Sequence, residues 1–134
     1  MIYWTGDLIN SLDFDEIFVF GSNPEGRHDL GAAKSALKFG AKYGRSRGLN
    51  GKTYALVTKN LTKNYFEEET GIIYKNFGKK SVTKEQIEEN IKELYQVAFS
   101  NSDKKFLISY QLSSFNLNGY SSEELVDMFK CDII

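Results

Sequence analysis

The chain has 134 residues, 41% of them hydrophobic, with 17 basic and 18 acidic side chains and a formal net charge of −1. That length predicts a single domain, 1–134, able to bury a core without staples; near-neutrality gives no global electrostatic case for nucleic acid or an anionic membrane. The single cysteine, Cys131, excludes an internal disulfide and suits a reducing cytoplasm, no apolar run reaches the roughly 18 residues of a membrane span, and no basic start followed by an apolar stretch suggests a signal peptide.

Met1 to Trp4 predicts a short first strand, broken by Gly6 and Asp7. Ile17 to Phe20 is apolar throughout, as expected of a strand buried on both faces. A loop carrying Gly21, Ser22, Asn23, Gly26 and Gly31 follows, then a helix over about Gly31 to Tyr43. Gly44 to Lys52 reads as a turn-rich connector. Thr53 to Thr58 predicts another buried strand, and Thr62 to Ser81 a long polar excursion with a short strand at Gly71 to Tyr74. Thr83 and Gln86 fit a capping box for a helix whose buried stripe is Ile87, Ile91, Leu94, Tyr95 and Ala98, with Glu88 and Lys92 as a pair four apart. Lys105 to Leu112 is the next strand, Ser113 to Tyr120 a polar loop, and Glu123 to Lys130 a last helix capped by Ser121 or Ser122. This alternation predicts an α/β fold with a largely parallel sheet covered on both faces. Ligands in such folds bind at the carboxyl ends of the strands, where loops 21–31, 59–66 and 113–120 converge.

The first of these loops is the natural anion site. Strand, glycine loop and helix start leave backbone N–H groups unpaired and aimed at one spot. The same glycines also suit a purely structural strand-to-helix turn. Neither the nucleotide-triphosphate loop G-x-x-x-x-G-K-[ST] nor the dinucleotide fingerprint G-x-G-x-x-G is present. Lys59, just after a strand, can be a nucleophile, a phosphate or ribose contact, or a surface lysine. Asp29 is the nearest candidate general acid, against a solvated loop aspartate; His28, the only histidine, can serve as acid, base or phosphate donor, or pack. No ligand cluster surrounds His28, so no metal is expected, and no cofactor. Phe115 and Tyr120 can offer a stacking face or join the core. Lys42, Arg45, Arg47 and Lys52 form a basic stretch that reads as a solvated connector, with nucleic-acid contact as the weaker alternative.

Several of these motifs occur in one order, and that order resembles a macro domain, the fold that binds ADP-ribose. Gly6-Asp7-Leu8, the strand ending in Gly21-Ser22-Asn23, the loop from Gly26 and Arg27 to Gly31, Thr58-Lys59, and Asn118-Gly119-Tyr120 through Glu124 carry the resemblance. It is similar to small macro-like proteins of tailed bacteriophages and their hosts, over nearly the whole chain. The resemblance implies a three-layer α/β/α domain with a mixed, largely parallel sheet. It implies that Asp7, beside Leu8, reads the adenine amino group and that Asn23 contacts the distal ribose. The backbone from Gly26 through Arg27, Gly31 and Ala32 would cradle the diphosphate. Ser113, Ser114, Phe115, Asn116, Asn118, Gly119 and Tyr120 would close over it. Lys59 matches the lysine of DNA- and glutamate-directed ADP-ribosyl hydrolases, whose amine attacks the anomeric carbon. The sequence departs from the pattern at Asp29 and Leu30, where relatives have small residues, and in the second loop, which keeps only Gly119 of several glycines and lacks the acidic partner of the lysine-dependent enzymes. The implied functions are ADP-ribosyl hydrolysis on DNA or protein, or dephosphorylation of ADP-ribose 1″-phosphate, in the cytoplasm and in phage counter-defence within a host. The alternative is a non-catalytic binder, or sponge, of an NAD-derived nucleotide signal.

Overall fold

The computed structural model describes residues 2–5, 9–29, 31–109 and 119–130. The elements in chain order are β1 (Ile2–Thr5), β2 (Glu16–Ser22), α1 (Gly31–Ala36) with a 3₁₀ turn (Leu37–Phe39), β3 (Gly48–Asn50), β4 (Thr53–Val57), β5 (Tyr65–Glu67), β6 (Ile72–Tyr74), α2 (Lys84–Ser100), β7 (Lys105–Ser109) and α3 (Ser122–Lys130). A five-stranded sheet runs β1-β7-β2-β4-β3, and β5 and β6 form a separate two-stranded sheet. In the larger sheet β1, β7, β2 and β4 are parallel neighbours and β3 runs antiparallel to β4; β5 and β6 are antiparallel to each other. The protein is therefore α/β, with a mixed, mostly parallel sheet.

Alternate residues of β2 face two different cores, which is why the run from Ile17 to Phe20 has no polar position. Ile17 and Val19 join Tyr54, Leu56, Phe106 and Ile108 beneath α2 and α3. Phe18 and Phe20 point the other way, toward Ala33 and Ala36 of α1. The capping box of α2 forms as expected: Gln86 N donates to Thr83 Oγ1 at 3.1 Å and Thr83 N to Gln86 Oε1 at 2.9 Å. Ile87, Ile91, Leu94 and Ala98 are buried, and Tyr95, only partly buried, donates its hydroxyl to the Phe129 carbonyl at 2.6 Å. Lys92 meets Glu89 at 3.2 Å. Ser121 rather than Ser122 supplies the cap of α3, exchanging hydrogen bonds with Glu124.

Four expectations change. Gly21 and Ser22 are strand, not loop, because β4 continues alongside them and pairs with their backbone. The helix expected to reach Tyr43 ends early: Gly40, at φ 111°, sits too close to Gly51 for a Cβ and takes a left-handed turn. The connector contains β3, which pairs with β4 across the two-residue turn Gly51-Lys52. The long excursion holds a hairpin of two strands, β5 as well as β6.

That hairpin is attached by a buried ion pair. Arg47 donates to both carboxylate oxygens of Glu67, at 2.7 and 3.0 Å, to Asn90 Oδ1 at 2.7 Å and to the Tyr74 hydroxyl at 3.1 Å. Thr70 and Tyr74 donate to Glu67 Oε1 as well, and Asn90 passes the network to the Val57 carbonyl. Arg47 is thus scaffolding and not part of a solvated basic connector. Burial works against the Glu67 carboxylate, but the donors from Arg47, Thr70 and Tyr74 more than offset it, and its pKa lies below the ordinary 4.5. An acid held down in the folded state stabilises the fold above its unfolded pKa, and that contribution is lost as pH falls through the folded value. Denaturant titrations from pH 7 to pH 3 should show wild type losing this share of stability in acid. Glu67→Gln should be less stable at pH 7 by about 3 kcal/mol, since it leaves Arg47 buried without a counter-charge, and its acid profile should be flatter. Parallel profiles for the two proteins would remove the pair from the acid response.

Candidate functional site

The parallel strands β1, β2, β4 and β7 end at one edge of the sheet, so the segments following each of them leave from that edge. Of those segments, 23–29 after β2 and 58–64 after β4 are among the described residues. Asp7 and Leu8, after β1, and Ser113, Ser114, Phe115, Asn116 and Asn118, after β7, lie outside the described residues.

The loop after β2 is a rigid, internally bonded turn. Asn23 clamps it from within: its Nδ2 donates to the Arg27 carbonyl and its Oδ1 accepts from Arg27 N, both at 2.8 Å. Gly26 N donates to the Asn23 carbonyl at 3.0 Å, and the Gly26 carbonyl accepts from Gly44 N at 2.7 Å. Gly26 takes φ 71°, and a Cβ there would lie 2.5 Å from the Gly44 carbonyl carbon. The loop is thus pressed backbone to backbone onto the 43–46 segment. His28 completes this seam. Only 1% exposed, it sets Nε2 3.1 Å from the Arg45 carbonyl and its ring edge-on to Phe20 and Tyr43. Of the readings open to it in the sequence, packing is the one seen: the ring lies inside, with Nδ1 buried and unpartnered among the described residues.

Asp29 is exposed and turned onto Arg27 Nε at 3.3 Å, with the Tyr43 hydroxyl at 3.4 Å. This pairing offsets its charge beside the loop amides. Gly31 opens α1, and Ala33 buries against the sheet while Ala32 is exposed. Ser22 is buried at the end of β2, where its carbonyl accepts from Thr58 N at 3.0 Å.

Lys59 follows β4, partly buried, and makes no hydrogen bond or ion pair among the described residues. Its neighbours are held tightly. Asn60 N and carbonyl both meet the Ser81 hydroxyl, Gly78 N donates to the Asn60 carbonyl at 2.8 Å, and Asn60 Nδ2 donates to the carbonyls of Thr62 and Asn76, each at 2.7 Å. Glu25, from the first loop, accepts from Leu61 N at 3.1 Å and so ties the glycine loop to the lysine loop. Glu25, Asn60 and Ser81 are the residues that sequence reasoning missed here. A glutamate in a Pro-Glu-Gly turn and an asparagine after a lysine carry no periodic or motif signal. Gly119 packs against Lys79 and Lys80, and Tyr120 is buried with its hydroxyl on the Val82 carbonyl at 2.9 Å, so its ring belongs to the core.

No group of three or more His, Cys, Asp or Glu able to hold a metal ion occurs among the described residues, and no helix among them is long and apolar enough to cross a membrane. No known protein family, curated protein or solved structure matches this chain.

The two glycines of the seam should respond differently to alanine. Gly26→Ala adds a clash to an unfavourable φ and should cost about 2–4 kcal/mol. Gly44→Ala has open space around the new Cβ and only a φ of 89° against it, for about 1 kcal/mol. Urea unfolding of the two variants checks the order; equal losses would mean that the loop is not pressed on its neighbour.

Proposed function

We propose that this chain is a macro-like domain of three α/β/α layers that binds ADP-ribose, or a close derivative, at the carboxyl edge of its sheet and hydrolyses an ADP-ribosyl linkage there. The observation that carries the reading is a pairing. A rigid glycine loop, whose own side chains are spent on holding its shape, is tied through Glu25 to a loop carrying an unengaged lysine. Such a loop meets a diphosphate with preorganised backbone, which costs little ordering on binding. Lys59 then has no structural duty to give up.

In this reading the amine of Lys59 forms a bond to C1″ of the distal ribose as the bond from C1″ to the macromolecule breaks, and the leaving atom takes up a proton. Water then displaces the amine from C1″ and restores it. Asn23, Gly26, Arg27, Gly31 and Ala32 contribute to the diphosphate and ribose cradle, with Asp7 on the adenine and the 113–120 loop closing above. Removal of phosphate from ADP-ribose 1″-phosphate is the related activity that needs fewest side chains, since it uses orientation and loop amides. ADP-ribosylated DNA or protein is the macromolecular partner, and a phage counter-defence role in the host cytoplasm is the setting.

A second reading, a sponge that holds an NAD-derived nucleotide without turnover, is favoured by one observation: Asp29 and His28, the candidate proton donors, are engaged by Arg27 and by the Arg45 carbonyl. Calorimetry with ADP-ribose, followed by release assays on ADP-ribosylated DNA, ADP-ribosylated protein and ADP-ribose 1″-phosphate, separates the readings. The expected result is saturable binding by wild type and by Lys59→Ala, with turnover reduced about 100-fold or more in the variant. Binding without turnover by either protein would establish the sponge. No binding by wild type would overturn both.

A further inference from the structure

Asn60 gathers charge as well as structure. Its amide draws the Thr62 and Asn76 carbonyls together, its carbonyl receives Gly78 N, and Ser81 closes the knot. The residues flanking those anchors are Lys59, Lys63, Lys75, Lys79 and Lys80, and the segments 59–64 and 75–81 contain no acidic residue. The β5–β6 register, Tyr65 opposite Tyr74, sets Lys63 and Lys75 at the open end of the hairpin on adjacent strands. Lys63, Lys75 and Lys79 are exposed. Between Lys75 and Lys79 stands Phe77, 63% exposed, and on the outward face of the hairpin Phe66 and Ile73 form an exposed cross-strand pair. Lys80 is directed elsewhere, with Nζ 5.5 Å from the centre of the Tyr120 ring. Glu25 reaches this region but is occupied by the Leu61 amide.

An exposed phenyl ring among lysines is unfavourable in water, and Phe77 belongs to neither hydrophobic cluster of the described residues. Its chemistry matches a ligand with alternating negative charge and flat apolar faces. A single nucleic-acid strand has both, phosphates for the ammonium groups and unpaired bases for the ring. An acidic peptide supplies only the charge, and a duplex keeps its base faces stacked away.

We infer that the surface gathered around Asn60, with Lys63, Lys75 and the exposed ring of Phe77, is a binding surface for single-stranded nucleic acid. It uses none of the residues assigned to the nucleotide cradle, and it is tested without ADP-ribose, so each reading stands or fails alone. The basic stretch from Lys42 to Lys52 does not provide this surface: Arg47 is buried in its ion pair and Lys52 donates to the Leu12 carbonyl at 3.1 Å.

The test is fluorescence anisotropy with a labelled oligothymidylate of about 12 nucleotides, within the span one small domain covers, titrated at several salt concentrations. Wild type should bind saturably, with log affinity falling against log salt at a slope of about −1.4 for two phosphate contacts. Lys63→Ala and Lys75→Ala should each flatten that slope by about 0.7. Phe77→Ala should weaken binding about 10-fold or more with the slope unchanged, and a duplex of equal length should bind more weakly. Lys42→Ala with Arg45→Ala should leave binding as it is. The inference is overturned by absence of binding at 50 mM salt (a condition of the assay, at about the low end of the range over which such contacts are strong), by equal competition from polyglutamate, or by equal losses in the Lys42/Arg45 control. It is also overturned if sedimentation velocity shows a dimer that Phe77→Ala abolishes, since the ring would then be covered by a second copy.

Discussion

A guanidinium and a carboxylate taken out of water must meet each other and must satisfy their remaining hydrogen-bonding groups, or the fold that buries them loses several kcal/mol. Arg47 and Glu67 meet that condition, and the lateral half of the molecule is arranged around it. Arg47 comes from the segment leading into β3, Glu67 and Tyr74 from the hairpin, Asn90 from α2, and the last hydrogen bond returns to the β4 carbonyl of Val57. Three segments are thereby fixed relative to β4, the strand that delivers Lys59. A hydrophobic cluster of equal volume could hold them with similar strength, but the directional bonds also fix which strand residue faces inward. The hairpin is short, three residues a side, and short hairpins do not hold their register alone. With Glu67 and Tyr74 required on the inner face, Phe66 and Ile73 must face outward.

The same economy governs the carboxyl edge of the sheet. Asn23, Glu25 and Ser81 spend their side-chain polar groups on other parts of the protein, as do His28 through Nε2 and Asn60 through Nδ2. The loops are therefore held by their own bonds, and among the described residues the amine of Lys59 takes no part in them. This division separates the residues that hold a shape from those that can meet a guest.

Much of this frame is legible in the sequence, for identifiable reasons. Ile17 to Phe20 and Thr53 to Thr58 are apolar on both parities because the sheet buries both faces. Thr83 and Gln86 signal a helix start through a local bond that needs no tertiary partner. β3 was missed because a three-residue edge strand has too little pattern, although Asn50-Gly51 is a hairpin signal in its own right. β5 was missed for a different reason: alternation in Tyr65-Phe66-Glu67 places the charge inside and the phenyl ring outside, the reverse of the usual assignment. Only the arrival of Arg47 from twenty residues away makes that inversion stable. His28 takes the packed reading that stood beside acid or base, and what buries it is not local. A histidine in a glycine-rich loop looks available, and nothing local shows that the 43–46 segment will close over it.

Charge in this chain is sorted by partnership and not by sequence window. The stretch from Lys42 to Lys52 and the stretch from Lys59 to Lys80 look alike as lists of basic residues. In the first, the two cations nearest β4 are consumed, one by a carboxylate and one by a carbonyl. In the second, the acids that lie between the lysines are removed from competition: Glu67 is buried against Arg47, and Glu68 and Glu69 are at the closed end of the hairpin, away from Lys63 and Lys75. The ion pair that fixes the hairpin therefore also segregates its charges. Positive potential is left at the end nearest the carboxyl edge of the sheet, next to exposed aromatic carbon, in a protein whose overall charge is close to zero. An anion approaching this molecule meets a local field that the net charge conceals, and that field falls off within about 10 Å at 0.1 M salt, so it acts on ligands already close to the surface and orients them rather than attracting them from afar.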